Sequence, residues 1–214
     1  MKSKGYLFRS AIAFCLLVFG EPAVAQNRYV RAAEGAPHAA IAVLSGGCFW
    51  GIDGVFKHVR GVSEVVSGYS GGNVDTAEYE TVSTGTTGHA ESVRITFDPM
   101  KVSYAQLLKV FFAVHDPTEL NRQGPDTGTQ YRSAIFYADD QQKKIAQAYI
   151  AELNRKKAFS NPIVTQVAPL KQFYPAEGSH QNYLALHPDN PYIVYNDLPK
   201  LDELQKRFPD LYKP

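Results

Sequence analysis

The chain has 214 residues, 44% hydrophobic and 20% charged, the balance of a globular protein with a real core. A formal net charge of +1 supplies no field for nucleic acid or anionic membranes. No Lys/Arg cluster interleaved with aromatics is present, which argues against a nucleic-acid surface.

The first segment reads as an export signal rather than as part of the fold. Lys2, Lys4 and Arg9 precede an apolar run, Ala11 to Gly20, that is too short to span a membrane. Ala23-Val24-Ala25 then offers small residues for cleavage. The expectation is a secretory signal peptide over residues 1–25, a flexible lead-in over 26–38, and one catalytic domain over 39–214 with a helical tail. The mature protein would be periplasmic or secreted. Cleavage removes Cys15 and leaves Cys48 as the one cysteine. Exported proteins usually pair their cysteines, so a lone one is either buried and inert or reactive by design.

Along the domain, residues 39–44 form an apolar run that predicts a buried strand, broken by Gly46-Gly47. Residues 49–58 predict a short helix with Cys48 at its N-terminus. Residues 63–69 predict a second strand. Ser92 to Phe97 alternates strictly, with Val93, Ile95 and Phe97 on one side, and predicts a half-buried strand. Ser103 and Gln106 make a capping box for a helix carrying Leu107, Leu108, Phe111 and Phe112, stopped at His115-Asp116-Pro117. Residues 121–129 predict a loop and 133–137 a strand. Asp139 and Gln142 cap a helix to about Lys157. Residues 163–167 predict a strand, 178–187 a short helix, and Asp197-Leu198-Pro199 the start of a final amphipathic helix ending near Phe208. Without a regular βαβ rhythm, this is an α+β domain.

Three segments carry chemistry. In Gly46-Gly47-Cys48-Phe49-Trp50-Gly51 the glycines permit a sharp turn and leave room beside the sulfur. A helix N-terminus favours thiolate over thiol, so Cys48 is expected to have a lowered pKa. Phe49 and Trp50 either wall an apolar pocket for a methyl-ended ligand or belong to the core. In Gly88-His89-Ala90-Glu91, Glu91 stands where the alternating strand begins. Desolvation there would keep its carboxyl protonated, fit to act as a general acid. His89 reads as a loop residue. In Gly124 to Ser133, glycines bend a loop that delivers Asp126 and Tyr131. Their hydroxyl and carboxyl groups, with Tyr79, suit a polar oxygen held in an apolar pocket.

Together these segments resemble the class A, peptide methionine-S-sulfoxide reductase family. Tyr104 to Leu108 with Phe111-Phe112, His115-Asp116-Pro117, and Ala176-Glu177 with His180-Gln181 fit it as well. The resemblance spans residues 39–187. It implies a two-layer α+β sandwich with a mixed sheet and the reactive cysteine at a helix start. It implies that Cys48 attacks the sulfoxide sulfur and Glu91 protonates its oxygen. Tyr79 and Tyr131 would hold that oxygen, Asp126 would assist, and Phe49 and Trp50 would cradle the methyl group. The product on Cys48 would be a sulfenic acid. No bound cofactor and no metal are implied, and the substrates would be oxidised proteins or peptides.

One departure stands out. Many members carry further cysteines, often in a Gly-rich tail, that resolve the sulfenic acid. Residues 188–214 contain none. The reductant is then an external thiol: a thioredoxin-like protein, a glutaredoxin-like protein or a small thiol. Two other readings remain at this point. A cysteine hydrolase would need His58, His89 or His180 beside Cys48 as a base. A non-catalytic module would bind oxidised methionine without turnover.

Overall fold

The computed structural model describes residues 39–214. The expected signal peptide, the lead-in and Cys15 lie outside the described residues. In chain order the elements are β1 (Ala40–Ser45), α1 (Phe49–Lys57), β2 (Val62–Ser70), α2 (Tyr79–Val82), β3 (Ala90–Phe97), α3 (Tyr104–Val114), β4 (Arg122–Gln123), β5 (Asp126–Thr127), β6 (Ala134–Tyr137), α4 (Asp140–Arg155), β7 (Gln166–Pro169), β8 (Phe173–Pro175), α5 (Tyr183–Leu186) and α6 (Leu198–Arg207). Six strands make one mixed sheet in the order β7-β6-β1-β3-β2-β8, and β4 and β5 pair as a separate hairpin. Only β6 and β7 run parallel among these pairs.

Strand side chains alternate between faces. Leu44, Val65, Val93, Ile95 and Ile135 therefore point to the helix side, where they pack with Ile52, Val55 and Phe56 of α1 and Leu107, Leu108 and Phe111 of α3. Glu91 shares the parity of Val93, so the strand delivers its carboxyl to the helix side. The opposite face is covered as well, by Val43, Ala134, Phe136 and Phe173. For that reason β3 is buried on both faces and not half-buried as its alternation predicts: Ser92 and Thr96 are both buried. Arg94, on that second face, lies over the Phe173 ring.

Local signals end the helices where expected. The Ser103 hydroxyl accepts the Gln106 N–H at 3.2 Å, and Gln106 Oε1 accepts the Ser103 N–H at 2.9 Å. Such a cap is worth about 1 kcal/mol. Asp139 caps α4 by accepting the Gln142 N–H at 2.8 Å, while Gln142 Nε2 donates to the Ile41 carbonyl at 2.7 Å and ties the helix to β1.

Several elements differ from expectation, among them the loop predicted at 121–129, which holds the two-residue strands β4 and β5. The strand predicted at 163–167 begins instead at Gln166, because Val164 spends its N–H on the Pro117 carbonyl and Thr165 bonds Ser133. The helix predicted at 178–187 is split by Asn182, whose φ of 56° is left-handed, into a 3-10 turn at Gly178–His180 and α5. Strand β8, three residues ending in proline, and helix α2, four residues long, are too short to carry a periodic signal. The last helix is no appendage. Leu204 of α6 is fully buried in the main core, and a π-helical turn, Ile193–Asp197, leads into it.

Candidate active site

Strand β1 ends at Ser45 and the chain turns through Gly46 and Gly47 into Cys48, the N-cap of α1. Both glycines are needed. A Cβ on Gly46 would meet the Phe111 ring at 2.8 Å, and Gly47 has φ of 91° with Gln123 against it. An α-helix leaves its first amide groups without internal partners. Here two acids share them. The Phe49 N–H donates to Glu91 Oε2 at 3.0 Å, and the Trp50 N–H faces the Cys48 sulfur. The Cys48 thiol and the Glu91 carboxyl lie close enough that each raises or lowers the other's proton affinity.

The expected lowering of the Cys48 pKa does not occur. The sulfur is buried, with the residue 8% exposed. Burial pushes the thiol well up, and the nearby carboxyls of Glu91 and Asp197 add to the rise. The helix amide and Lys200 oppose this and lose. Loss of solvation outweighs a helix end because the dipole contributes only about 0.3–2 kcal/mol. Glu91 follows the expected direction: it is 2% exposed, and burial lifts its pKa to about 8 despite the Phe49 amide. At neutral pH the pair holds both protons.

The phenols converge on this pair from separate elements. Tyr79 opens α2, and its hydroxyl senses the charge of Glu91 and Cys48. Its backbone N–H donates to Glu177 Oε1 at 2.8 Å, and Tyr69 donates to the other oxygen at 2.8 Å. Glu177 is therefore a fastening for the two tyrosines. Tyr131 closes the 3-10 turn Thr129–Tyr131 and interacts with Glu91, Asp126 and Cys48. Arg132 fixes that turn against the Glu91 segment, donating to the carbonyls of Thr129 at 2.8 Å, Gly88 at 2.9 Å and His89 at 3.0 Å. Thr129 and Gln130 reach the carbonyls of Gly85 and Ser83, at the end of α2. The Gly124 to Ser133 segment thus draws together the three motifs that the sequence scatters. Asp126, on β5, accepts a hydrogen bond from the Tyr192 hydroxyl.

Phe49 and Trp50 part company. Phe49 is buried between Tyr69 and His180, with ring centroids 5.9 and 5.5 Å away. Trp50 is half-buried. It stacks on Tyr183 at 3.7 Å and meets Tyr192 edge-on at 5.8 Å. Its indole N–H donates to His180 Nδ1 at 3.3 Å. The histidines required by a hydrolase are committed elsewhere: His58 to the Gly54 carbonyl, His89 to Gly72 and Asn73, His180 to Trp50.

A family profile described as peptide methionine sulfoxide reductase matches residues 40–211. The chain belongs to this family. It is 60% identical over 180 residues to peptide methionine sulfoxide reductase MsrA 2 of Mesorhizobium japonicum, covering 84% of this chain and 92% of that one. It is 51% identical over 174 residues to the MsrA of Thermus thermophilus, covering 81% and 98%. Two solved structures share the fold. The reduced form of Mxr1 from Saccharomyces cerevisiae has a TM-score of 0.65 and 33% identity, covering 72% of this chain and 90% of that one. Methionine sulfoxide reductase A of Corynebacterium diphtheriae has a TM-score of 0.65 and 34% identity, covering 73% and 78%. The protein is therefore an oxidoreductase with the α+β fold of this family.

Residues with no signal in the chain also border the site. Tyr192, Asp197 and Lys200 all lie beyond residue 187, in the segment read as a tail. Asp197 is fully buried, and its Oδ1 takes the Lys200 ammonium at 2.8 Å. Both groups occupy space against α1 that exists because residue 51 is glycine. A Cβ there would stand 2.2 Å from Asp197 Oδ1 and 2.8 Å from Lys200 Nζ. In most helices Gly→Ala gains up to about 1 kcal/mol. Here Gly51→Ala must displace a buried ion pair, and we expect a net loss of about 1–3 kcal/mol. Urea unfolding would show it as a lower midpoint at unchanged slope.

Proposed function

We propose that this reductase converts methionine-S-sulfoxide, free or in proteins, to methionine by oxygen transfer to Cys48, and that it serves protein repair. The observation that carries this reading is the meeting of two buried acids at the start of α1: Cys48 caps the helix, and the Phe49 N–H beside it donates to the buried Glu91 carboxyl at 3.0 Å. Glu91 gives its proton to the sulfoxide oxygen, which makes the sulfoxide sulfur electrophilic. The resulting carboxylate takes the proton of the nearby thiol. The thiolate attacks the sulfoxide sulfur; the transient S–S bond and the methionine S–O bond then break as the protonated oxygen forms its bond to the Cys48 sulfur. The sulfoxide sulfur gains two electrons and leaves as the thioether. The Cys48 sulfur loses two electrons and keeps the oxygen as a sulfenic acid. Because the acid that activates the substrate is also the base that activates Cys48, a raised thiol pKa is compatible with the chemistry.

Tyr79 and Tyr131 hold the sulfoxide oxygen through their hydroxyls, and the Asp126–Tyr192 pair supports them. Phe49 and Trp50 take the methyl group, and its fixed position beside the sulfur selects one epimer by shape.

Cys48 is the free cysteine of the described residues. Its sulfenic acid is reduced from outside. One thiol displaces water to form a mixed disulfide, and a second thiol releases Cys48. A thioredoxin-like dithiol, a glutaredoxin-like protein or a small thiol meets this need. A steady-state assay with dithiothreitol on the separated epimers tests the proposal. The S epimer should be consumed and the R epimer left. Equal rates on both would refute the shape selection, and no turnover of either would refute the reading.

A further inference from the structure

We propose that Asp197 and Lys200 are positioning residues for the oxygen transfer: a charge-balanced pair, admitted against the first turn of α1 by the missing side chain of Gly51, that governs the anionic character of Cys48. The inference rests on the function proposed above and adds a role for the C-terminal segment. Three observations support it. Asp197 is fully buried, yet its Oδ2 has no hydrogen-bond partner, so it was not placed there to complete a polar network. Its other oxygen holds the Lys200 ammonium at 2.8 Å, and Lys200 is itself largely covered. Both groups sit where a Cβ of residue 51 would be, three positions from the nucleophile.

A buried ion pair is weak evidence for stability, because removing two charges from water offsets most of their attraction. Its position makes it effective at the sulfur. The charged and titratable groups acting on Cys48 are Glu91 from β3, Asp197 from the π-helical turn and Lys200 from α6. Tyr79, Tyr131 and Tyr192 face it from the other elements. Lys200 is thus the cation of a site that otherwise contains carboxyls and phenols. A carboxylate there opposes negative charge on sulfur and an ammonium favours it, so the two partners push in opposite directions, the carboxylate the more strongly.

The test compares Asp197→Asn, Lys200→Gln, Lys200→Arg and the double variant Asp197→Asn/Lys200→Gln in the full chain. The first readout is the alkylation rate of Cys48 by iodoacetamide from pH 6 to 10, followed on the Cys48 peptide so that Cys15 does not interfere. The second is methionine release in a single turnover without reductant. Asp197→Asn leaves an unopposed ammonium and should speed alkylation at pH 7 about tenfold. Lys200→Gln takes the cation from a fully buried carboxyl whose pKa burial already raises, so Asp197 takes up a proton and alkylation at pH 7 should stay within about threefold of wild type. The double variant and Lys200→Arg should return toward wild type, and methionine release should follow the same order. No acceleration in Asp197→Asn, or a change in Lys200→Gln as large as the one in Asp197→Asn, would overturn the proposal. If Lys200→Gln does not fold, Asp197→Asn and the double variant decide: faster alkylation in the first, reversed in the second, supports it, and anything else overturns it. Alkylation needs no sulfoxide. A failure of the function with the charge pattern intact would therefore be distinct from a failure of the pair.

Discussion

Cys48→Ser should release no methionine from either sulfoxide epimer, with dithiothreitol or with any protein donor. A serine hydroxyl in this site has a far higher pKa and cannot accept oxygen as a sulfenic acid does, so no slower route replaces the lost one. The substitution removes little else. Serine is close in size, and the Glu91 carboxyl that meets the thiol can meet a hydroxyl. Stability should therefore move by no more than about 1 kcal/mol, against abolition of turnover. The check is mass-spectrometric: dimedone should label Cys48 of wild type after one turnover and leave the variant unlabelled. Product formation by the variant would remove Cys48 from the mechanism.

Glu91→Gln should slow methionine release by about 10²–10⁴-fold, the range for loss of a positioned proton donor. An amide keeps the shape and can still face the sulfoxide oxygen, but it neither gives that oxygen a proton nor accepts one from the thiol. The pH profile separates this from a packing effect. With a folded pKa of about 8, Glu91 is a competent donor below that value and loses the function as pH rises through it. Wild-type release should fall on the alkaline side near pH 8, and the glutamine variant should lack that limb. Stability gives a second, independent readout. The folded carboxyl binds its proton more tightly than the unfolded one, its pKa rising from the ordinary 4.5 to about 8. This contribution is fully present below the unfolded pKa and is lost as pH rises through the folded one. Wild type should lose stability across that window, and Glu91→Gln should lose less. Matching profiles from pH 5 to 9 would show that Glu91 is not the acid.

Much of this site was legible in the chain, and the misreadings share one physical origin. The parity of Glu91 with Val93 was enough to send its carboxyl to the helix side, and the Ser103/Gln106 pair was enough to start α3. Those are local rules, settled within a few residues. The direction of the Cys48 pKa was not local. A helix N-terminus is visible in the sequence, but the burial of its cap and the approach of Asp197 are tertiary facts. Tyr192, Asp197 and Lys200 escaped for the same reason. Asp197-Leu198-Pro199 signals a helix start, and nothing in those three residues says which other helix the start will face. Gly51 held a trace of the answer: a glycine in the first turn of a helix asks for a reason, and the reason came from far along the chain. Burial of β3 on both faces likewise depended on Phe173, in a strand too short to announce itself.

The borders of the sheet bear on the company this protein would keep. The outermost strands, β7 and β8, have four and three residues, and each ends in a proline, Pro169 and Pro175. Proline offers no N–H to an incoming strand, and so short a rim gives a foreign segment little to zip onto. Under the repair function proposed above, a partly unfolded oxidised substrate would find little free edge here on which to add a strand.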